Sequence, residues 1–239
     1  MFNLDEEFKK LKERGPNNPL PIPKMAKITA GALDQGASQW AFRLFRDKKF
    51  RKMLDFEKLE KIEQDRIFNE LVVSDLVLLM ITLESPDLRI PEELKEYFLL
   101  VKDELPKAHC NLLASYGIEK KYLNDWDKLI KMRYEEYNKD KLDIRKVAMD
   151  MDSKKGDLTT KGLEDIQLLL PVQTVAIGCH HHICRGKTKG KDELFKLILK
   201  QMGRFYVGVR VPLEGGKIDF WGKLRVGVRH FLNRFKSSF

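Results

Sequence analysis

"LVVSDLVLLMITL" (71–83) is the longest apolar run in the chain, interrupted by Asp75. It is too short to cross a bilayer, which takes about 20 consecutive apolar residues. A segment that is apolar on every side belongs inside a protein, so the run predicts a buried core helix. The helical pattern extends back from it through Leu71, Ile67, Ile62 and Leu59 to about Phe56, and ends near Glu84.

Outward from this helix, the breaks are as informative as the runs. "SPDLRIPEEL" (85–94) carries two prolines, with Pro91 followed by Glu92 and Glu93 as suits a helix N-terminus. Further helices are expected near 91–116, 119–139 and 160–184, with Gly117 as a C-cap between the first two. "DSKKGDLTTKG" (152–162) is polar with two glycines and predicts a loop. Upstream, "ASQWAFRLFRDKKFRKMLDF" (37–56) predicts one basic amphipathic helix. Trp40, Leu44, Phe45, Met53 and Leu54 fall at helical spacings, opposite Arg43, Arg46, Lys48, Lys49, Arg51 and Lys52. The acids that follow at 55–65 blunt this positive field and favour a merely solvated face. "GPNNPLPIP" (15–23) reads as a linker after a short N-terminal amphipathic helix that has no secretory-signal character.

The chain has 239 residues, 43% hydrophobic and 34% charged, which suits one large or two small domains with a core that needs no staples. Three cysteines without framework spacing favour a reducing compartment, the cytoplasm or an organelle matrix. The 45 Lys and Arg against 36 Asp and Glu give a net charge of +9. Residues 185–239 hold 14 of the bases and 4 of the acids, or +10, so residues 1–184, with 31 against 32, carry −1. The excess therefore sits in the last quarter of the chain. That asymmetry points to an anionic partner, against the alternative of a basic surface kept for solubility.

In that last quarter "KDELFKLILKQM" (191–202) predicts a short helix. "GRFYVGVRVP" then alternates Phe205, Val207, Val209 and Val211 with Tyr206, Gly208 and Arg210, which is strand periodicity. "VGVR" recurs at 226–229 after a glycine turn, so a β-hairpin or arm is expected, with an amphipathic last helix as the competing reading.

"GCHHHICRGKTKGK" (178–191) concentrates three of the five histidines and two of the three cysteines. The helix containing it starts suitably at Pro171 and ends suitably at Gly186, and its core face would hold Val172, Val175, Ala176, Cys179 and Ile183. His180 and Cys184, four apart, can serve one tetrahedral Zn²⁺, with His109 or Cys110 supplying further ligands. The competing reading is a helix end whose His, Arg and Lys residues answer the macrodipole. A Cys179–Cys184 disulfide is disfavoured, because residues five apart on a helix point away from each other. The segment at 150–161 fails as a calcium loop, since lysines stand where a ligand, the glycine and the bidentate glutamate are needed. No P-loop, dinucleotide fingerprint or nucleophile elbow occurs.

These patterns predict a mainly α protein. A multi-helix, bundle-like domain spans 24–203, preceded by a helix and Pro-rich linker (1–23) and followed by a basic, aromatic β-hairpin or arm (204–239). The leading functional expectation is non-enzymatic polyanion binding, nucleic acid first and RNA included. Arg185, Lys187, Lys189, Lys191, Arg204, Arg210, Lys223, Arg225 and Arg229 would neutralise phosphates with limited base discrimination. The second is a metal-binding helical protein, or a metal enzyme, built on His180, Cys184, His109 and Cys110. The third is a peripheral subunit on an anionic membrane surface or in a larger protein assembly.

Overall fold

A computed structural model of the chain describes residues 21–154 and 160–216. Among the described residues the protein is mainly helical, without strands. The helices are α1 (Ile22–Phe45), α2 (Lys48–Met53), α3 (Lys61–Leu83), α4 (Glu92–Ser115), α5 (Lys120–Lys154), α6 (Thr160–Ile183) and α7 (Asp192–Leu213), with a 3₁₀ turn at Phe56–Lys58.

α3 is the axis of the fold. Every residue from Glu70 to Leu83 is buried, and α1, α4, α5, α6 and α7 all pack on it. This is the physical outcome of a helix with no polar face: only complete enclosure removes its apolar surface from water. All but one of the polar side chains that α3 carries inward find a partner, on a neighbouring helix or within α3 itself. Arg133 of α5 donates to both carboxylate oxygens of Glu70, at 2.8 and 3.2 Å. Ser74 meets the Tyr137 hydroxyl at 3.4 Å, and Thr82 donates to the Leu78 carbonyl at 2.6 Å. Asp75, 3% exposed, makes no side-chain hydrogen bond among the described residues, and burial raises its carboxyl well above the ordinary range.

Local chemistry sets the element boundaries. Pro23 lies in the first turn of α1, where its missing N–H would have no partner anyway. Asp47 breaks the expected 37–56 helix in two: its carboxylate accepts the Phe50 N–H at 2.9 Å and so starts α2 afresh. Gln64 then donates to the carbonyls of Phe56 and Leu59, at 3.1 and 3.0 Å, and fixes the turn that leads into α3. Glu92 and Glu93 open α4, and Gly117, at φ +86°, closes the α4–α5 turn, as their positions in the sequence suggest. α6 begins well before Pro171, which is an interior residue and not a first-turn one. Gly178 is required by close approach: a Cβ there would sit 2.1 Å from Cε1 of Tyr137, whose buried ring packs directly on the α6 backbone.

The expected strand over 204–211 is helix. α7 buries Leu194, Ile198, Leu199, Met202, Phe205, Tyr206 and Arg210, a helical spacing that overrides the local alternation of valines. The helix continues across residues 203 and 204, where the sequence suggested a change of structure. The N-terminal helix and most of the linker (1–20) and the second expected strand and tail (217–239) lie outside the described residues. No described helix is long and apolar enough to cross a membrane.

Candidate polyanion-binding surface

The histidine–cysteine segment occupies the C-terminal end of α6, where packing divides its members. The expected core face holds: Val172, Val175, Ala176, Cys179 and Ile183 are all buried. Cys179 lies against Ser74 and Asp75 of α3, and burial pushes its thiol up, so it is a small hydrophobe there. His180 is buried beside Phe195 of α7, ring centroids 5.6 Å apart. Burial and the nearby Lys191 ammonium both lower its pKa, so the ring is held neutral. Cys184 is buried close to Lys191 and Arg66; desolvation dominates and raises its thiol. His182 hydrogen-bonds Glu136 of α5 at 2.7 Å, and His181 is exposed.

The open carbonyls at this helix end are answered from another helix. Arg66 of α3 donates to the carbonyl oxygens of His182 and Ile183, both at 2.9 Å, while also pairing with Glu63 at 2.7 Å. Arg66, with Arg185 beside it, pulls Glu63 down to about 2 against the opposing effect of partial burial. The positive charge that the α6 dipole calls for thus comes from α3, where the sequence suggested the segment's own histidines and lysines.

His109 and Cys110 lie elsewhere, on α4. The His109 Nδ1–H donates to Asp34 of α1 at 2.8 Å, both side chains being buried, and the imidazole meets Trp126 of α5 edge-on at 4.9 Å. Cys110 donates to the Leu123 carbonyl at 3.4 Å. His109 and Cys110 serve the α1–α4–α5 contact, and His180 and Cys184 the α6–α7 contact, so the expected zinc ligands are not brought together. Among the described residues no group of three or more His, Cys, Asp or Glu side chains converges as a metal site.

The expected anion-binding residues also part company. Lys187 and Lys189 are exposed on the α6–α7 loop, whose turn is set by Arg185 and Gly186 at φ +50° and +74°. Arg185 is exposed but bonded to Glu63. Lys191 is half-buried against Cys184 and His180, and Arg204 is half-buried on α7. Arg210 is removed from the surface altogether, at 5% exposed. Its guanidinium donates to the Asp87 carboxylate (2.9 Å), the Asp87 carbonyl (2.7 Å), Glu214 (2.8 Å) and the Tyr206 hydroxyl. It locks the end of α7 to the α3–α4 connection. Lys223, Arg225 and Arg229 lie outside the described residues.

A second cationic segment, discounted in the sequence because acids follow it, is brought up against α7. The Trp40 indole donates to the Gln201 carbonyl at 3.1 Å and its ring lies 5.9 Å from Phe205, which seats the end of α1 on α7. α2 packs on α7 as well, and Lys49 is close enough to help lower Glu193, itself already paired with Lys196 at 2.9 Å. Arg43, Arg46, Lys48, Lys49 and Lys52 are exposed here, and among the described residues none of them forms an ion pair. Two are propped on rings: Arg43 stands 5.4 Å from the Trp40 centroid and Arg46 5.6 Å from that of Phe42. Asp47, the nearest acid in sequence, spends its carboxylate on the α2 cap. The result is a set of exposed, partly pre-positioned cations on helices that pack on α7, the helix that follows the loop bearing Lys187 and Lys189.

Comparison with known proteins finds no match to this chain among family models, characterised proteins or solved structures.

Proposed function

We propose that this protein binds polyanions, nucleic acid first, without catalysing a reaction, and that the α1–α2–α7 corner and the α6–α7 loop form the binding surface. One observation carries the reading. Arg43, Arg46, Lys48, Lys49 and Lys52 are exposed and form no ion pair among the described residues, and the helices that bear them pack on α7, which directly follows the loop with the exposed Lys187 and Lys189. Charges left unpaired close together repel one another, which a phosphate backbone relieves while releasing its own counterions. The basic tail, with Lys223, Arg225 and Arg229, adds cations of the same sign to the same chain.

The test is a salt titration of nucleic-acid binding by fluorescence anisotropy, on the wild-type chain and on Lys49→Glu/Lys52→Glu and Lys187→Glu/Lys189→Glu. Affinity should fall steeply with salt. Each double reversal should flatten the plot of log K against log salt by about 2, as expected for two lost phosphate contacts. Binding that ignores all four lysines refutes this surface. No binding to nucleic acid, together with cosedimentation on anionic vesicles, moves the function to a membrane surface.

A further inference from the structure

On the reading that this corner binds nucleic acid, we infer that its preferred ligand is a duplex and that it contacts phosphates, not bases. A protein that favours single strands offers free aromatic faces on which unpaired bases stack, and that stacking offsets the entropy lost when a flexible strand is ordered. The rings of this corner are already engaged. Trp40 has its indole N–H bonded to Gln201, Phe205 against it and Arg43 over it. Phe42, the one ring of the corner that is largely exposed, carries Arg46 over its face and meets Phe68 at its edge. Phe45 and Phe56 share the Arg51 guanidinium, at 5.7 and 4.5 Å, and Phe50 and Phe56 are buried. The aromatic groups therefore act as supports that hold guanidinium groups outward.

A surface built this way presents rigid positive charge and little else. Its ligand should be the polyanion with the highest and most rigid charge density. A duplex has about one charge per 1.7 Å of axis and needs no ordering, whereas a single strand has a lower charge density and must be ordered. Arginine further suits phosphate, because its planar fork donates two parallel hydrogen bonds to one anion.

The experiment compares the full-length chain on a mixed-sequence duplex of about 24 base pairs and on an oligothymidine strand of about the same length, at about 100 mM salt. The expected result is duplex binding tighter by about tenfold or more, indifferent to base sequence. Arg43→Ala/Arg46→Ala removes two cations and uncovers two rings. It should weaken duplex binding, with a salt slope lower by about 2, and should leave single-strand binding unchanged or tighter. Arg43→Lys/Arg46→Lys, which keeps the charge, should retain most of the duplex affinity. Equal affinity for the two forms, or preference for the single strand, overturns this inference and leaves the proposed function standing. Failure to bind either form overturns the proposed function itself.

Discussion

Replacing Asp75 with asparagine should stabilise the protein, by an amount that grows with pH. Asp75 lies in the middle of the enclosed α3, 3% exposed and near Cys179, with burial alone raising its carboxyl well above the ordinary carboxylate range. The folded state therefore holds the proton more tightly than the unfolded chain does. Below about pH 4 the carboxyl is neutral in both states, and asparagine and aspartic acid should be nearly equivalent there. As pH rises the unfolded chain ionises first, so wild-type stability falls by about 1.4 kcal/mol per pH unit until the folded carboxyl ionises as well. The advantage of Asp75→Asn should therefore widen steadily as the pH is raised from 4 towards 7. The assay is urea unfolding of both proteins at intervals between pH 4 and pH 7, read as the difference at each pH so that titrations common to the two cancel. A difference that stays flat with pH refutes the argument. So does a wild type that is the more stable of the two at pH 7, because it would mean an ionised Asp75 with a partner.

Gly178→Ala should lower stability by about 1–3 kcal/mol, because its methyl would collide with the Tyr137 ring, and the thermal midpoint should drop by several degrees. An unchanged midpoint would mean that the ring has another place to go. Arg210→Ala should cost about 2–4 kcal/mol by leaving Asp87 and Glu214 without their shared partner, yet should leave nucleic-acid affinity and its salt slope unaltered. A variant that is fully stable but binds weakly would return Arg210 to the surface.

The parts of the fold that were legible in the sequence are those set by signals a few residues apart. The all-apolar run identified α3, and Pro91 with Glu92 and Glu93 opened α4. The Val172–Ile183 stripe proved to be a core face. Two misreadings came from short windows. The alternation over 204–211 has strand period, but Phe205, Tyr206 and Arg210 continue the buried helical stripe that α7 begins at Leu194, Ile198, Leu199 and Met202. The amphipathic stretch over 37–56 hid the break at Asp47, whose capping role depends on one side-chain oxygen reaching Phe50.

The candidate site was legible only as ingredients. Residues 187–191 were recognisable as a cationic loop, and residues 43–52 as a cationic face that the neighbouring acids seemed to neutralise. In the fold, Glu63 is taken by Arg66 and Arg185, Asp55 pairs with Lys58 and Asp47 caps α2, so none of these three carboxylates forms an ion pair with the cations of residues 43–52. The histidines and cysteines looked like one ligand set, because types and spacings were all that could be compared. Folding sends His109 to Asp34 and His180 to Phe195.

By itself, the sequence determined that the described residues are mainly helical, which run must be buried and which quarter carries the excess positive charge. Periodicity, capping and charge balance act over one or two helical turns, a range within which neighbours are known from the chain alone. Tertiary structure alone decided which charges remain free and which titratable groups meet. An ion pair such as Arg210–Asp87, or a corner such as Lys49 beside Glu193, joins residues more than a hundred positions apart. Such meetings depend on how apolar faces pack around α3, and packing is a property of the assembled volume, to which no single stretch of sequence holds the answer.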